Sequence, residues 1–151
     1  MLLTDDLPAG LEALSAEVVA FTPGITSANL SAGDTDASAN LTITGAGDQV
    51  QFDFGTVVSA GVAAGLNDPA GAGDLRDVTV IVTAQVVDVA AATAGAQLTN
   101  TATLQVFDPA GGAELTNPAA PITASETVDI VEPSLSICLL YTSPSPRDAL
   151  E

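Results

Sequence analysis

Residues 77–107 leave this chain little choice of secondary structure. They read DVTVIVTAQVVDV, then AAATAGAQ, then LTNTATLQVF. In the first part Val78, Val80, Val82, Ala84 and Val86 fall on one face, and Thr79, Ile81, Thr83 and Gln85 on the other. A side-chain period of two marks a strand with one buried face. The β-branched residues that fill it suit a pleated surface and lose χ1 freedom in a helix. The last part alternates as well, with Leu98, Ala102, Leu104 and Val106 against Thr99, Thr101, Thr103 and Gln105. Ala94 and Gly95 let the chain turn between them, so the stretch is expected to form a long antiparallel hairpin. Asn100 is the exception, a carboxamide on the apolar face.

The remaining segments follow the same logic. Leu3 to Leu7 reads as the end of a strand, followed by a Pro8-Ala9-Gly10 turn. Residues 11–21 carry two signals. Leu11, Leu14 and Val18 are spaced for a helix face, and Glu12, Ala13 and Ala16 favour helix, yet the run is short and meets Pro23-Gly24. Residues 25–40 are small and polar and read as a loop. Residues 41–44 and 49–54 alternate around Gly45-Ala46-Gly47-Asp48 and form a second expected hairpin. Phe52 and Phe54, two of only four Phe, are its core anchors. Residues 59–77 and 108–121 are long connections. Residues 122–131 alternate Ala124, Glu126, Val128 and Ile130 with Ser125, Thr127, Asp129 and Val131, giving a closing strand.

The wording of several segments resembles a known family. VTVIVTAQVVDV with AGAQLTNTATLQV, then ASETVDIVEPSLSI, is similar to the end of one repeat in bacterial surface proteins. TDDLPAGLEAL near the start and VQFDFGTV in the middle match in the right order. These are immunoglobulin-like repeats of the DUF11 and fimbrial isopeptide-forming D2 type, and the resemblance spans residues 5–137. It implies an all-β immunoglobulin-like sandwich with long Gly/Ala/Asp loops, and a strand rather than a helix at residues 13–21. In the family the LPxGL phrase lies well inside the repeat, so the resemblance implies a repeat truncated at its N-terminus. Residues 1–133 are then the partial repeat, and 134–137 lead into the next. Residues 138–148, CLLYTSPSPRD, break with everything before them. Their codons can spell a string that resembles the transposon adapter of sequencing libraries. Residues 138–151 are accordingly read as an adapter-derived tail and left out of fold reasoning.

Composition narrows the function classes. Lys+Arg total 2 against 19 Asp+Glu, a formal net charge of −17. Such a surface repels nucleic acid and anionic membrane. There is no His and one Cys, which removes imidazole catalysis, Cys/His zinc sites and an internal disulfide. No apolar run is long enough to span a bilayer, and MLLTDDLPAG is not a signal peptide. No GxSxG elbow or phosphate-cradling loop is present, so no enzyme is expected.

Three groups of residues stand out as candidate sites. Asn100 must find hydrogen-bond partners inside, because an unpaired carboxamide there costs about 1–3 kcal/mol. In the isopeptide-forming relatives an Asn on such a strand bonds covalently to a Lys, helped by a buried acid. This sequence has no Lys, so Asn100 is expected to be a structural buried polar residue bonded to backbone or to a trapped water. Asp34, Asp36, Ser38 and Asn40 place oxygens at alternate positions, like the opening of a calcium loop. Ala39 and Gly45 stand where that loop needs its Gly and its bidentate Glu, so a solvated acidic loop is the better reading. The column Thr99, Thr101, Thr103 can present an ice- or sugar-binding surface, but reads as the solvent face of an ordinary strand.

Together with the resemblance, these features point to a structural repeat module: a spacer, a stalk or a segment of an adhesive fibre in a secreted or cell-surface bacterial protein. Its expected partners are neighbouring repeats of the same chain, other surface proteins or glycans. The alternative is a calcium- or ligand-binding module that uses the acidic loops.

Overall fold

The computed structural model describes residues 1–22, 24–59, 77–107 and 122–131. Among these the fold is all-β, with no helix and every strand pairing antiparallel. The strands are β1 (Leu2–Asp6), β2 (Leu11–Phe21), β3 (Ile25–Ser27), β4 (Leu41–Thr44), β5 (Gln49–Asp53), β6 (Val57–Ser59), β7 (Val78–Val86), β8 (Gln97–Gln105) and β9 (Ile122–Asp129). One five-stranded sheet has the order β4-β5-β1-β8-β9, and two small sheets pair β2 with β7 and β3 with β6. The β2–β7 sheet lies on the inner face of the large sheet, so the architecture is of the sandwich kind. The expected adapter-like tail and the long connections at 60–76 and 108–121 lie outside the described residues.

The hairpin expected across residues 77–107 does not form. β7 pairs with β2, and β8 pairs with β1 and β9. Both alternations are real strands, but they belong to opposite layers. Residues 87–96 cross between the layers, held by hydrogen bonds from Val87 N to Gly10 O and from Gly95 N to Ile130 O. Alternation reports which face of a strand is buried and is silent about the neighbour it pairs with. The second expected hairpin does form, as β4 and β5. Residues 25–40, expected as a loop throughout, contain the short strand β3 instead.

β2 resolves the ambiguity of residues 11–21. Its inner face carries Leu11, Ala13, Ala16, Val18 and Phe21, opposite Val86, Ala84, Val82, Val80 and Val78 of β7. Register shifts after Ala13 and after Val18 leave Leu14 and Val19 as extra residues. Each bulge turns one step of two into a step of three. That is why the segment looks helical: spacings 13 to 16 and 18 to 21 mimic a period near 3.6. Leu14, which the helix reading placed on the apolar face, is 53% exposed.

The core sits between β2 and the β4–β5 side of the large sheet. Val18, Leu41, Val50 and Phe52 are fully buried, with Leu7, Ala13, Ala16, Leu30 and Phe54 around them. Phe54 meets Phe21 edge-on at 6.1 Å and lies parallel to Phe52 at 6.2 Å. The expected role of Phe52 and Phe54 as core anchors therefore holds. The β4–β5 turn is pinned to β2 by Ala13 N donating to Gly47 O at 2.7 Å. Gly47 has φ +87°, and a Cβ there would come within 2.5 Å of Glu12 Cγ and 3.0 Å of Ala13 O. Only glycine fits that approach.

Candidate functional site

Directly paired residues of a sheet share a face, so the registers map the inner surface of the large sheet residue by residue. Leu3 lies beside Phe52 and Leu104, Asp5 beside Val50 and Ala102, and Asn100 opposite Glu126. Two polar residues of separate strands thus meet in an apolar layer. Asp5 is 8% exposed and is the one buried charged residue among those described. Asn100 is half-buried, and its Nδ2 donates to Asp5 Oδ1 at 2.7 Å.

The electrostatics of this pair follow from its surroundings. Burial among Val50, Ala102 and the neighbouring apolar side chains strips water from the Asp5 carboxylate and raises its pKa above the ordinary 3.8. The Asn100 hydrogen bond opposes that shift, and the adjacent Asp6 adds to it. Asn100 Oδ1 is buried and has no hydrogen-bond partner among the described residues. An ionised Asp5 can only accept, so it leaves that oxygen unsatisfied. A protonated Asp5 carries an O–H and can donate to it.

Asn100 thus faces inward, as the alternation of β8 requires, but its partner is a side chain and not the backbone. Asp5 was missed in the sequence. The signal was present: Asp5 shares alternation parity with Leu3 and Leu7, which puts a carboxylate on an apolar face. Glu126 was read in the closing strand without note. It is exposed and stands opposite Asn100.

In the loop with Asp34, Asp36, Ser38 and Asn40, Asp34 spends both carboxylate oxygens on its own neighbours. Asp34 Oδ2 accepts from Ser31 N at 2.7 Å, and Asp34 Oδ1 from Ser38 Oγ at 3.3 Å. Asn40 Nδ2 donates away to Asn29 O at 3.2 Å, and the Asp36 residue is exposed. Val18 N to Asp34 O and Asp36 N to Ala16 O tie the loop to the edge of β2. The structure brings Asp34 and Ser38 together and leaves the other two apart. Among the described residues no three of His, Cys, Asp and Glu are grouped to hold a metal ion.

The Thr column lies on the outer face of the large sheet. Thr99 Oγ1 and Thr127 Oγ1 are 3.1 Å apart, as are Thr101 Oγ1 and Ser125 Oγ. Gln97 Nε2 donates to Asp129 Oδ1 and Gln49 Nε2 to Asp6 Oδ1. The outer polar groups are largely turned to one another across the strands. Among the described residues no helix is long and apolar enough to cross a membrane. No family model matches the chain, and comparison with curated proteins and with solved structures gave no match.

Proposed function

We propose that this chain is an immunoglobulin-like repeat module that bears tension: a spacer, stalk or adhesive-fibre segment of a secreted or surface-attached bacterial protein. The observation that carries the reading is the path of the chain through the large sheet. β1 and β9 flank β8 and run parallel to each other, each antiparallel to it. Leu2 lies opposite Gln105, and Asp129 opposite Gln97. Within the described residues β1 starts at one end of β8 and β9 leaves at the other, a path that suits a link in a string of modules. Tension along that string loads the β1–β8 and β8–β9 ladders in shear, so their hydrogen bonds resist together instead of opening singly. The resemblance to surface-protein repeats and the strongly acidic composition support the extracellular setting.

Single-molecule pulling tests the reading. Tandem copies are pulled first through their termini, then through cysteines placed at Gln97 and Asp129, a geometry that unzips β8 from β9. End-to-end pulling should need clearly the higher force. Equal forces in the two geometries would remove the mechanical argument.

A further inference from the structure

The two layers of the sandwich are unequal in width. Over β4 and β5 the inner face of the large sheet is closed by β2, and Leu41, Val50 and Phe52 are fully buried. Over β9 the same face is open, while on β8 Leu98 stays buried at 4% exposure. There Leu104 pairs with Ile122, Ala102 with Ala124 and Leu98 with Val128, yet Ile122 is 61% and Val128 44% exposed. The covering sheet ends at β7. The outer edge of β2 is tied to residues 33–36 and to Gly47, whereas the outer edge of β7 meets no strand among the described residues. A crevice of about 620 Å³ between Leu3, Leu104, Val78 and Val80 opens one end of this flank. A second, of about 530 Å³, lies between Val86, Ala92, Val128 and Ile130 at the other end.

We propose that this flank is a strand-binding groove, and that its occupant is an extended, net-basic segment of another protein. The segment adds to β7 as a third strand and lays alternate apolar side chains on β8 and β9. Three observations select that chemistry. The β7 edge offers a row of backbone donors and acceptors, which only an extended backbone matches along its length. The floor is apolar on a β-sheet, so it takes side chains at a period of two. The charge is acidic: Glu126 lies exposed on the floor, Asp77 lines the first crevice, and Asp88 and Asp129 line the second. A second copy of the chain fits poorly, because each carries −17.

The test uses the full chain and a fluorescein-labelled peptide of nine residues, the length of β7. The peptide alternates valine with threonine and has lysines near its centre; binding is followed by anisotropy. Its controls are a scrambled isomer of equal charge, a version N-methylated at alternate amides, and a glutamate version. The patterned basic peptide should bind best, and N-methylation should cost about tenfold or more in Kd. Ile122→Asp, on the exposed floor, should weaken binding by a similar factor, while Ile81→Asp on the opposite face of the covering sheet should not. Circular dichroism verifies that both variants remain folded. Equal binding of the scrambled or N-methylated peptide would overturn the proposal, as would an unchanged affinity in Ile122→Asp. Concentration-dependent dimerisation in sedimentation, blocked by Ile122→Asp, would assign the groove to a second copy and overturn it too.

Discussion

Asp5→Asn should stabilise this protein at neutral pH, although it removes a residue that makes a 2.7 Å hydrogen bond. In the native pair an ionised carboxylate accepts from Asn100 Nδ2, and Asn100 Oδ1 stays buried without a donor. Leaving a buried acceptor unsatisfied costs about 1–3 kcal/mol. An amide at position 5 supplies that donor and keeps an acceptor for Asn100 Nδ2. It also removes a charge that burial destabilises. Against this, the charge-assisted hydrogen bond becomes a neutral one, a loss of about 1 kcal/mol. The net expectation is a gain of about 1–2 kcal/mol, seen as a Tm several degrees higher. The pH dependence gives an independent check. The folded state holds the Asp5 proton more tightly than the unfolded chain does. Its stabilising contribution is therefore complete below the ordinary value of 3.8 and is lost as pH rises through the elevated folded value. Urea unfolding from pH 3.5 to 7, in about 1 M salt to screen the other acids, should show stability falling with pH in the wild type and falling less in Asp5→Asn. A destabilised variant, or one with an unchanged pH slope, would refute the reasoning.

Asn100→Ala should destabilise by about 1–3 kcal/mol at pH 7 in urea melts, because Asp5 loses its donor, and Asn100→Asp should be worse, since it sets two carboxylates together among apolar groups with no Lys in the chain to pair them. Millimolar Ca²⁺ should raise the Tm no more than monovalent salt of equal ionic strength, because both oxygens of Asp34 already accept hydrogen bonds within their own loop; a saturable Ca²⁺-selective shift, lost in Asp34→Asn, would restore the calcium reading.

Strand identity was legible here wherever apolar and polar residues alternate along the chain, as in β5, β7, β8 and β9. Pairing was not. β7 and β8 are consecutive, both alternate, and Gly95 lies between them, yet they belong to different layers. A crossover and a hairpin of this length bury the same residues, so the difference leaves no mark on either pattern. β2 shows the other limit. Bulges at Leu14 and Val19 shift its buried face twice in eleven residues, and no local preference distinguishes that from one helical stripe. β3 and β6 have three residues each, too few to establish a period of two.

The polar pair shows what the same alternation can give when it is carried across strands. Asn100 was conspicuous because it interrupts one long apolar face. Asp5 was not, because β1 is short and Asp5 is followed at once by Asp6, and reading residues 3–7 as a strand end did not assign the two acids to separate faces. Parity separates them: Asp6 lies on the outer face and accepts from Gln49, while Asp5 lies with Leu3 and Leu7. A lone inward carboxylate and a lone inward carboxamide in an all-β chain each need a partner, and each is the kind of partner the other needs. Their pairing follows from satisfiability alone. What remains beyond the sequence is how well they satisfy each other. Asp5 gives Asn100 one acceptor, and only its protonation, or an amide in its place, provides the donor that Asn100 Oδ1 lacks.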